Sequence, residues 1–172
     1  AGGAGDLAAP PPRLGRYEVQ GEIGRGGMGR VYAAHDPELA RDVAVKVVRG
    51  DPEERPERIA RFVSEAQITA QLEHPSIVPV HDVGVTEDGA VFYVMKQLHG
   101  RSLRALLELL PSDAEVAARW PLHRLLTVFV QICDAVGFAH DRGVLHRDLK
   151  PDNLLVGDFG EVLVVDWGLA TL

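Results

Sequence analysis

The feature that most constrains this chain is a glycine-rich run with strand-like sequence on both sides. It reads Gly24-Arg25-Gly26-Gly27-Met28-Gly29-Arg30-Val31 and lies between predicted strands at residues 17–23 and 29–35. A hairpin must form there, and the missing Cβ atoms allow backbone N–H groups to approach phosphate oxygens. A dinucleotide-binding fingerprint would open a helix, and a Walker loop would end in Gly-Lys-Ser/Thr, so both are excluded. A glycine-rich turn without any ligand gives the same letters, and the run alone leaves that alternative open.

The predicted elements change from strands to helices near Gly100. Further strands are predicted at residues 42–48, 77–85 and 90–98, with a helix at 58–72, and later helices at 102–110 and 122–140. This order predicts an α+β chain with a first lobe and connecting hinge at residues 16–98 and a second, helical lobe at 99–172. Residues 1–15 are rich in Gly, Ala and Pro and are predicted to be a flexible leader outside the fold.

Composition narrows the class of protein. Apolar residues make up 46% and charged residues 25%, as in ordinary globular domains. The net charge of −7 argues against a nucleic-acid partner, and no apolar run reaches the ~18–20 residues of a membrane span. Cys133 is the single cysteine, and we predict that it is a core residue of a reduced, cytoplasmic protein. The histidines show no metal-ligand spacing.

Lys46 ends an otherwise apolar strand, Val43-Ala44-Val45-Lys46. Taken alone, it is best interpreted as an edge-strand lysine that faces water. Glu65 changes that interpretation, because it borders the apolar stripe of the predicted helix at residues 58–72, where a carboxylate needs a partner. A lysine held by a glutamate can present its ammonium to two phosphates of a nucleotide. We therefore predict a pair between Lys46 and Glu65.

The strongest motif is His146-Arg147-Asp148-Leu149-Lys150-Pro151-Asp152-Asn153. This H-R-D-x-K-x-x-N pattern is the catalytic-loop signature of protein kinases. The glycine-rich run, the Val-Ala-Val-Lys strand and this motif follow one another in the order and at the spacing expected for the Hanks-type kinases. The chain therefore resembles that family. The Gly-Gly-Met-Gly form of the run resembles bacterial Ser/Thr members. The resemblance implies a kinase-like fold with an antiparallel five-stranded first lobe containing one helix, followed by the first part of a helical second lobe.

The resemblance also implies roles for individual residues. Asp148 would accept or orient the proton of the substrate hydroxyl, Lys150 would neutralise charge on the transferred phosphate, and Asn153 would hold a magnesium ion. A lysine at position 150 is typical of Ser/Thr kinases. His146 would pack beneath the metal-binding loop, and Arg147 would pair with an activation-loop phosphate.

The metal-binding aspartate has two candidates. A literal Asp-Phe-Gly occurs at residues 158–160, but it follows Asn153 closely and lies in a polar, glycine-flanked turn. Asp166-Trp167-Gly168 instead follows the apolar strand at residues 162–165, at the distance from Asp148 that the family uses. We therefore predict that residues 158–160 form a hairpin turn and that Asp166 is the magnesium ligand.

A nucleotide site is implied by the same resemblance, with ATP and Mg²⁺ (or Mn²⁺ in its place) as cofactors. Met95 would be the gatekeeper beside the adenine, and the backbones of Lys96 and Leu98 would bond the base. Val31, Ala44 and Leu155 would sandwich the adenine ring, and the sequence is equally compatible with these three as plain core residues. The complete implied set is Ile23, Gly24, Gly26, Gly27, Gly29, Val31, Ala44, Lys46, Met95, Lys96, Leu98 and Leu155.

The expected function is Mg-ATP-dependent transfer to Ser/Thr hydroxyls of a protein substrate. The resemblance runs from Tyr17 to Leu172 and covers only part of a kinase domain. We expect the missing part of the second lobe to be supplied by polypeptide beyond Leu172 or its place to be covered by a second copy of the chain or another partner. Without such a cover, apolar surface around Leu125, Phe129 and Ile132 is expected to be exposed. The alternative is a pseudokinase-like module that binds nucleotide with little transfer. A small-molecule kinase is disfavoured, because such proteins usually lack the lysine two residues after the catalytic aspartate.

Overall fold

Two compact units make up the part of the chain that the structure describes. The computed structural model describes residues 10–26, 29–48 and 55–167. The first unit comprises the described residues up to Ile59 together with His81–Gln97, and the second comprises Ala60–Val80 and the described residues from Leu98 onward. The change of unit after Gln97 lies one residue before the predicted lobe boundary, which follows Leu98. Residues 60–80, which were predicted to lie in the first lobe, instead group with the second, because Ile68, Leu72 and Ile77 pack into its apolar core.

A six-stranded sheet forms the first unit. Its strands are β1 (Arg13–Leu14), β2 (Tyr17–Gly26), β3 (Gly29–Asp36), β4 (Arg41–Val48), β5 (Val80–Val85) and β6 (Val91–Lys96), in the order β1-β2-β3-β4-β6-β5. The pairs β1–β2, β2–β3, β3–β4 and β4–β6 are antiparallel. The five predicted strands are present, and β1 adds a sixth.

Strand β1 corrects the prediction that residues 1–15 form a flexible leader. Arg13 and Leu14 pair with β2, the backbone N–H of Val19 donates to the carbonyl of Pro12 at 3.0 Å, and Leu14 is buried. A single leucine buried against the sheet outweighs the loop-like composition around it. The earlier part of the predicted leader, residues 1–9, lies outside the described residues.

Successive side chains of β4 point to opposite faces of the sheet, as the alternation in its sequence predicts. Val43, Val45 and Val47 lie on the face that packs with Tyr17 and Phe92 in the apolar core of the first unit. Ala44 and Lys46 therefore lie on the opposite face. Because β4 is flanked by β3 and β6, Lys46 is on a central strand, and the edge-strand interpretation is wrong.

Helix α1 (Arg55–Ala70) begins and ends slightly earlier than the helix predicted at residues 58–72, and the segment after it also differs from the prediction. The strand predicted at residues 77–85 begins only at Val80, and Ile77 instead makes a parallel bridge to Val164. Pro79 lies at the break, and a proline has no N–H to continue a strand ladder.

The second unit contains the helices and a small sheet. Its elements after α1 are α2 (Leu103–Leu109), α3 (Ala114–Arg119), α4 (Leu122–Asp141), a 3₁₀ turn (Pro151–Asn153), and strands β7 (Gly100–Ser102), β8 (Leu154–Gly157) and β9 (Val162–Val164) in the order β7-β8-β9. Ser102 caps α2 as predicted, with its hydroxyl accepting from the N–H of Ala105. Helix α3 was not predicted, although Asp113, which caps it, is a typical start signal.

Helix α4 buries a different face from the one its sequence first suggests. The buried residues are Val128, Ile132, Ala135 and Ala139, whereas Phe129 is 61% exposed and Cys133 is exposed. The prediction that Cys133 is a core residue is therefore wrong. The exposed apolar surface predicted around Leu125, Phe129 and Ile132 is present at Phe129, but Ile132 itself is buried. The helix is apolar on both sides, and the alanines permit the closest packing.

Helix α4 is also long and apolar enough, by length and composition alone, to cross a membrane. The core helix of a soluble protein passes the same test, and the buried face of α4 belongs to the apolar core of the second unit. This property is therefore weak evidence for a membrane span.

Candidate active site

Two side chains of the predicted catalytic loop, those of Lys150 and Asn153, converge on the carboxylate of Asp148 in the second unit. The Lys150 ammonium lies 2.7 Å from Oδ2 of Asp148. The Asn153 amide Nδ2 donates to the backbone carbonyl of Asp148 at 2.8 Å and to its Oδ2 at 3.3 Å. The 3₁₀ turn from Pro151 to Asn153 folds the chain back so that these contacts can form. The loop therefore holds a carboxylate and an ammonium side by side.

This pairing shifts the ionisation of both groups. The hydrogen bond from Lys150 lowers the pKa of Asp148, with smaller contributions from the Lys150 charge and from Asn153, while burial opposes the shift. The hydrogen bond to Asp148 raises the pKa of Lys150, and the nearby charges of Asp166 and Asp152 act in the same direction. At neutral pH, therefore, Asp148 is an anion and Lys150 is a cation.

His146 fixes this loop to the segment that precedes Asp166. The backbone N–H of Asp148 donates to Nδ1 of His146 at 3.3 Å, so that nitrogen is the acceptor. The proton of a neutral ring must then sit on Nε2, which donates to the carbonyl of Val165 at 3.0 Å. The ring is buried and packs on Trp167 with centroids 4.5 Å apart. This placement agrees with the structural role predicted for His146.

The backbone is strained at two points of the site. Among the described residues, the non-glycine residues with positive φ are Ala40, Arg147 (62°) and Asp166 (64°). Such conformations cost about 1–3 kcal/mol each and persist where the surroundings enforce them. At Asp166 the neighbours on both sides are fixed, since Val165 N–H donates to the carbonyl of Asn153 at 3.0 Å and the Trp167 ring is buried.

The small sheet places the two candidate aspartates in different surroundings. Residues 158–160 form the turn between β8 and β9, as predicted, and Phe159 at its tip is 92% exposed. Asp166 instead follows β9 and is half-buried beside the loop that carries Asn153. The turn itself is held on the outside of the unit, where Arg119 and Arg124 both donate to the carbonyl of Asp158.

One ion pair of the loop was not anticipated. Arg104 of α2 donates from Nε to both carboxylate oxygens of Asp152, at 2.7 and 2.8 Å. Asp152 lies inside the 3₁₀ turn next to Asn153, so α2 braces the loop from outside. The only sequence signal was an acidic residue at a loop position, and nothing local identified its partner on a helix far away in sequence.

The first unit places several predicted nucleotide contacts on one sheet face. Directly opposed residues of antiparallel strands point to the same side. One row runs across four strands through Gly24, Val31, Lys46 and Tyr93, and the next row contains Ala33, Ala44 and Met95. Lys46 is 8% exposed. The predicted residues Val31, Ala44, Lys46 and Met95 thus share the face opposite the apolar core of this unit.

The glycines of the hairpin are required for different reasons. A Cβ at Gly29 would lie 2.0 Å from the carbonyl oxygen of Val47, so β3 and β4 can approach there only because residue 29 is a glycine. A Cβ at Gly24 would meet only Val31, at an ordinary 3.6 Å. Ile23 beside it is largely exposed, and the backbone of Gly26 pairs with Gly29. Gly27 and Gly168 lie outside the described residues.

The remaining predicted residues have these positions. Lys96 ends β6 with an exposed side chain. Leu98 is half-buried, and Leu155 is half-buried on β8 opposite Ser102 and Leu163. Glu65 lies on the part of α1 that belongs to the second unit and is 2% exposed. The pair between Lys46 and Glu65 stays a prediction.

The donor atoms of the second unit suit a hard cation. Nδ2 of Asn153 is bonded to Asp148, so the amide oxygen is the atom that could ligate a metal, and Asp166 offers a carboxylate. Within residues 10–26, 29–48 and 55–167, no group of three or more His, Cys, Asp or Glu side chains could hold a metal ion. Mg²⁺ fits such a sparse set, because it usually binds through one or two carboxylates plus phosphates and water.

Comparison with known proteins agrees with the geometry of the loop. Residues 17–172 match the model of the protein kinase domain family. The Serine/threonine-protein kinase PknD of Chlamydia muridarum is 46% identical over 161 residues, which are 90% of this chain and 17% of the relative. The PknD proteins of Protochlamydia amoebophila and Chlamydia pneumoniae are each 42% identical over 159 residues, or 90% of this chain and 16% and 17% of the relatives. The chain thus spans only a small part of the length of these curated relatives.

Proposed function

The chain belongs to the protein kinase domain family, and from that premise we propose that it binds Mg-ATP and transfers the terminal phosphoryl group to Ser or Thr hydroxyls of a protein. The observation that carries the proposal is the arrangement of Asp148 beside the Lys150 ammonium and the Asn153 amide, held by His146. It provides a proton acceptor, a cation and a metal ligand within one loop.

The proposed step is a direct displacement. The acceptor hydroxyl donates its hydrogen bond to the Asp148 carboxylate, and its oxygen forms the new bond to phosphorus as the bond to the leaving ADP oxygen breaks. The proton ends on Asp148, from which solvent removes it. Because the pKa of Asp148 is lowered, this carboxylate is a weak base, which suits a loose transition state in which the hydroxyl keeps its proton until late.

The neighbouring groups would act by position and charge. Lys150, already protonated next to Asp148, would stabilise negative charge on the group in transfer. The amide oxygen of Asn153 and the carboxylate of Asp166 would hold Mg²⁺, which when bound neutralises charge on the phosphates. In the first unit, Lys46 and the backbone of the glycine hairpin would contact the phosphates. In the same unit, Val31, Ala44 and Met95 would contact the base, together with Ile23 and the backbone of Lys96.

A transfer assay tests this proposal. The chain is incubated with Mg-ATP carrying a labelled γ-phosphate and with a generic Ser/Thr-containing protein, beside Asp148→Asn and the exposed-site control Asp134→Asn. Label should appear on Ser or Thr with the unchanged chain and the control and fall to background with Asp148→Asn. Equal labelling by Asp148→Asn would contradict the assignment.

Binding without transfer is the alternative outcome, and a thermal-shift titration identifies it. Mg-ATP at about 100 times its Kd should stabilise the folded chain by about 2.7 kcal/mol. Stabilisation that Asn153→Ala abolishes, with no labelled product, would favour a nucleotide-binding module.

A cytoplasmic location is proposed on the same premise and is tested by fractionation of the cells that express it.

A further inference from the structure

Lys46 has an aromatic neighbour that none of the motifs anticipates. Tyr93 on β6 lies directly opposite Lys46 on β4, and the Lys46 ammonium nitrogen is 5.6 Å from the centre of its ring. Both side chains are buried, Tyr93 at 4% exposure and Lys46 at 8%. The two residues belong to the same unit and to adjacent central strands.

Tyr93 does not belong to the apolar core of the sheet. Phe92 and Val94, its neighbours along β6, point to the opposite face and pack into that core. Tyr93 instead shares the face of Val31, Ala44, Lys46 and Met95, which the proposed function assigns to the nucleotide. Tyr93 is thus buried outside the cluster that contains Phe92 and Val94, with its ring under the Lys46 ammonium.

The physical reason for an aromatic ring here is the cost of a buried ammonium. Moving a charged group out of water is expensive unless other groups compensate for the lost hydration. The face of an aromatic ring carries partial negative charge and attracts a cation within about 6 Å of its centre. The opposed residue on the other neighbouring strand is the apolar Val31, so within this row of the sheet the attraction comes from Tyr93.

We infer that Tyr93 is a positioning residue for Lys46: its ring face holds the ammonium on the nucleotide face of the sheet. The ring acts through Lys46 and does not itself contact phosphate. The inference rests on the proposed function for its consequence in nucleotide binding, whereas the contact itself can be measured without nucleotide.

The experiment compares four proteins by calorimetric titration with Mg-ATP: the unchanged chain, Tyr93→Phe, Tyr93→Leu and Tyr32→Leu. Tyr93→Phe keeps the ring and should bind like the unchanged chain. Tyr93→Leu keeps apolar bulk but lacks the ring, and its Kd should rise about 2- to 30-fold, as the usual strength of a cation–π interaction implies. Tyr32 is a buried tyrosine on the opposite face of the same sheet, so Tyr32→Leu should lose stability with little change in Kd.

A nuclear magnetic resonance measurement gives a readout that loss of packing alone would not reproduce. Protons above a ring face are shielded, so the Lys46 Hε signals should lie upfield of the other lysines. They should stay there in Tyr93→Phe and return to the ordinary position in Tyr93→Leu. Unshifted Lys46 signals in the unchanged chain would overturn the inference.

A fluorinated series tests the same contact without removing the ring, so it decides the question even where Tyr93→Leu does not fold. Phenylalanines with one, two and three ring fluorines are placed at position 93, which weakens the charge of the ring face stepwise at nearly constant shape. The Kd for Mg-ATP should rise with each fluorine, and a constant Kd would refute the inference.

Failure of the proposed function is recognised separately: the unchanged chain would not bind Mg-ATP, or Lys46→Met would bind it equally well.

Discussion

Replacement of His146 by phenylalanine should uncouple the catalytic loop from the segment that carries Asp166. Phenylalanine keeps a ring that can pack on Trp167, but it can neither accept from the N–H of Asp148 nor donate to the carbonyl of Val165. The substitution therefore removes two hydrogen bonds while preserving most of the apolar contact.

The magnitude follows from what the substitution leaves behind. Each buried group that loses its partner costs about 1–3 kcal/mol. The carbonyl of Val165 faces the buried ring and should contribute fully, whereas the loop around Asp148 is partly exposed and water can replace the lost partner at lower cost. We expect a loss of about 2–4 kcal/mol, a large share of the ~5–15 kcal/mol by which a domain is stable.

Urea unfolding followed by tryptophan fluorescence measures this loss. Trp120 and Trp167 are the two tryptophans, and both lie in the second unit, so the signal reports on the unit that contains His146. With a urea dependence of about 2 kcal/mol per M, the midpoint should fall by roughly 1–2 M. The control is His140→Phe at an exposed position of α4, which should leave the midpoint nearly unchanged. The reasoning is refuted by a His146→Phe midpoint within experimental error of the unchanged chain, or by an equal fall in the control.

The other predictions concern the hairpin, α4 and the ionisation of the loop. Gly29→Ala should cost at least about 1–3 kcal/mol in thermal unfolding, because its Cβ would collide with a backbone carbonyl of the neighbouring strand. Ile132→Ala should cost about 2–5 kcal/mol, whereas Phe129→Ala on the exposed face of α4 should cost under about 0.5 kcal/mol; similar losses would contradict the buried face. Lys150→Ala should raise the pKa of Asp148 toward the ordinary value of about 3.9, because the lysine is the main cause of its lowering. A carbon-13 nuclear magnetic resonance titration of the Asp148 carboxyl measures this shift. The Asp148 anion should persist to lower pH in the unchanged chain than in Lys150→Ala.

The tertiary structure explains the corrections to the helical lobe. The sequence of α4 is apolar on both sides, so periodicity cannot choose between the stripe that contains Phe129 and the one that contains Ile132. The choice depends on which stripe can approach other segments, and the small Ala135 and Ala139 decide it. In the same way, the pairing of residues 13–14 with β2 depends on a partner strand that no local composition reveals.

The sequence by itself determined what depends on neighbours within a few residues. Local signals predicted the alternation along β4, the Ser102 cap of α2 and the turn at residues 158–160. The spacing of the motif around Asp148 indicated the family. Only the folded chain decided which distant groups meet: the Arg104–Asp152 pair, the protonated nitrogen of His146 and the ring of Tyr93 against Lys46. Such contacts join residues tens of positions apart, and their energies depend on burial and distance, which no short-range pattern encodes.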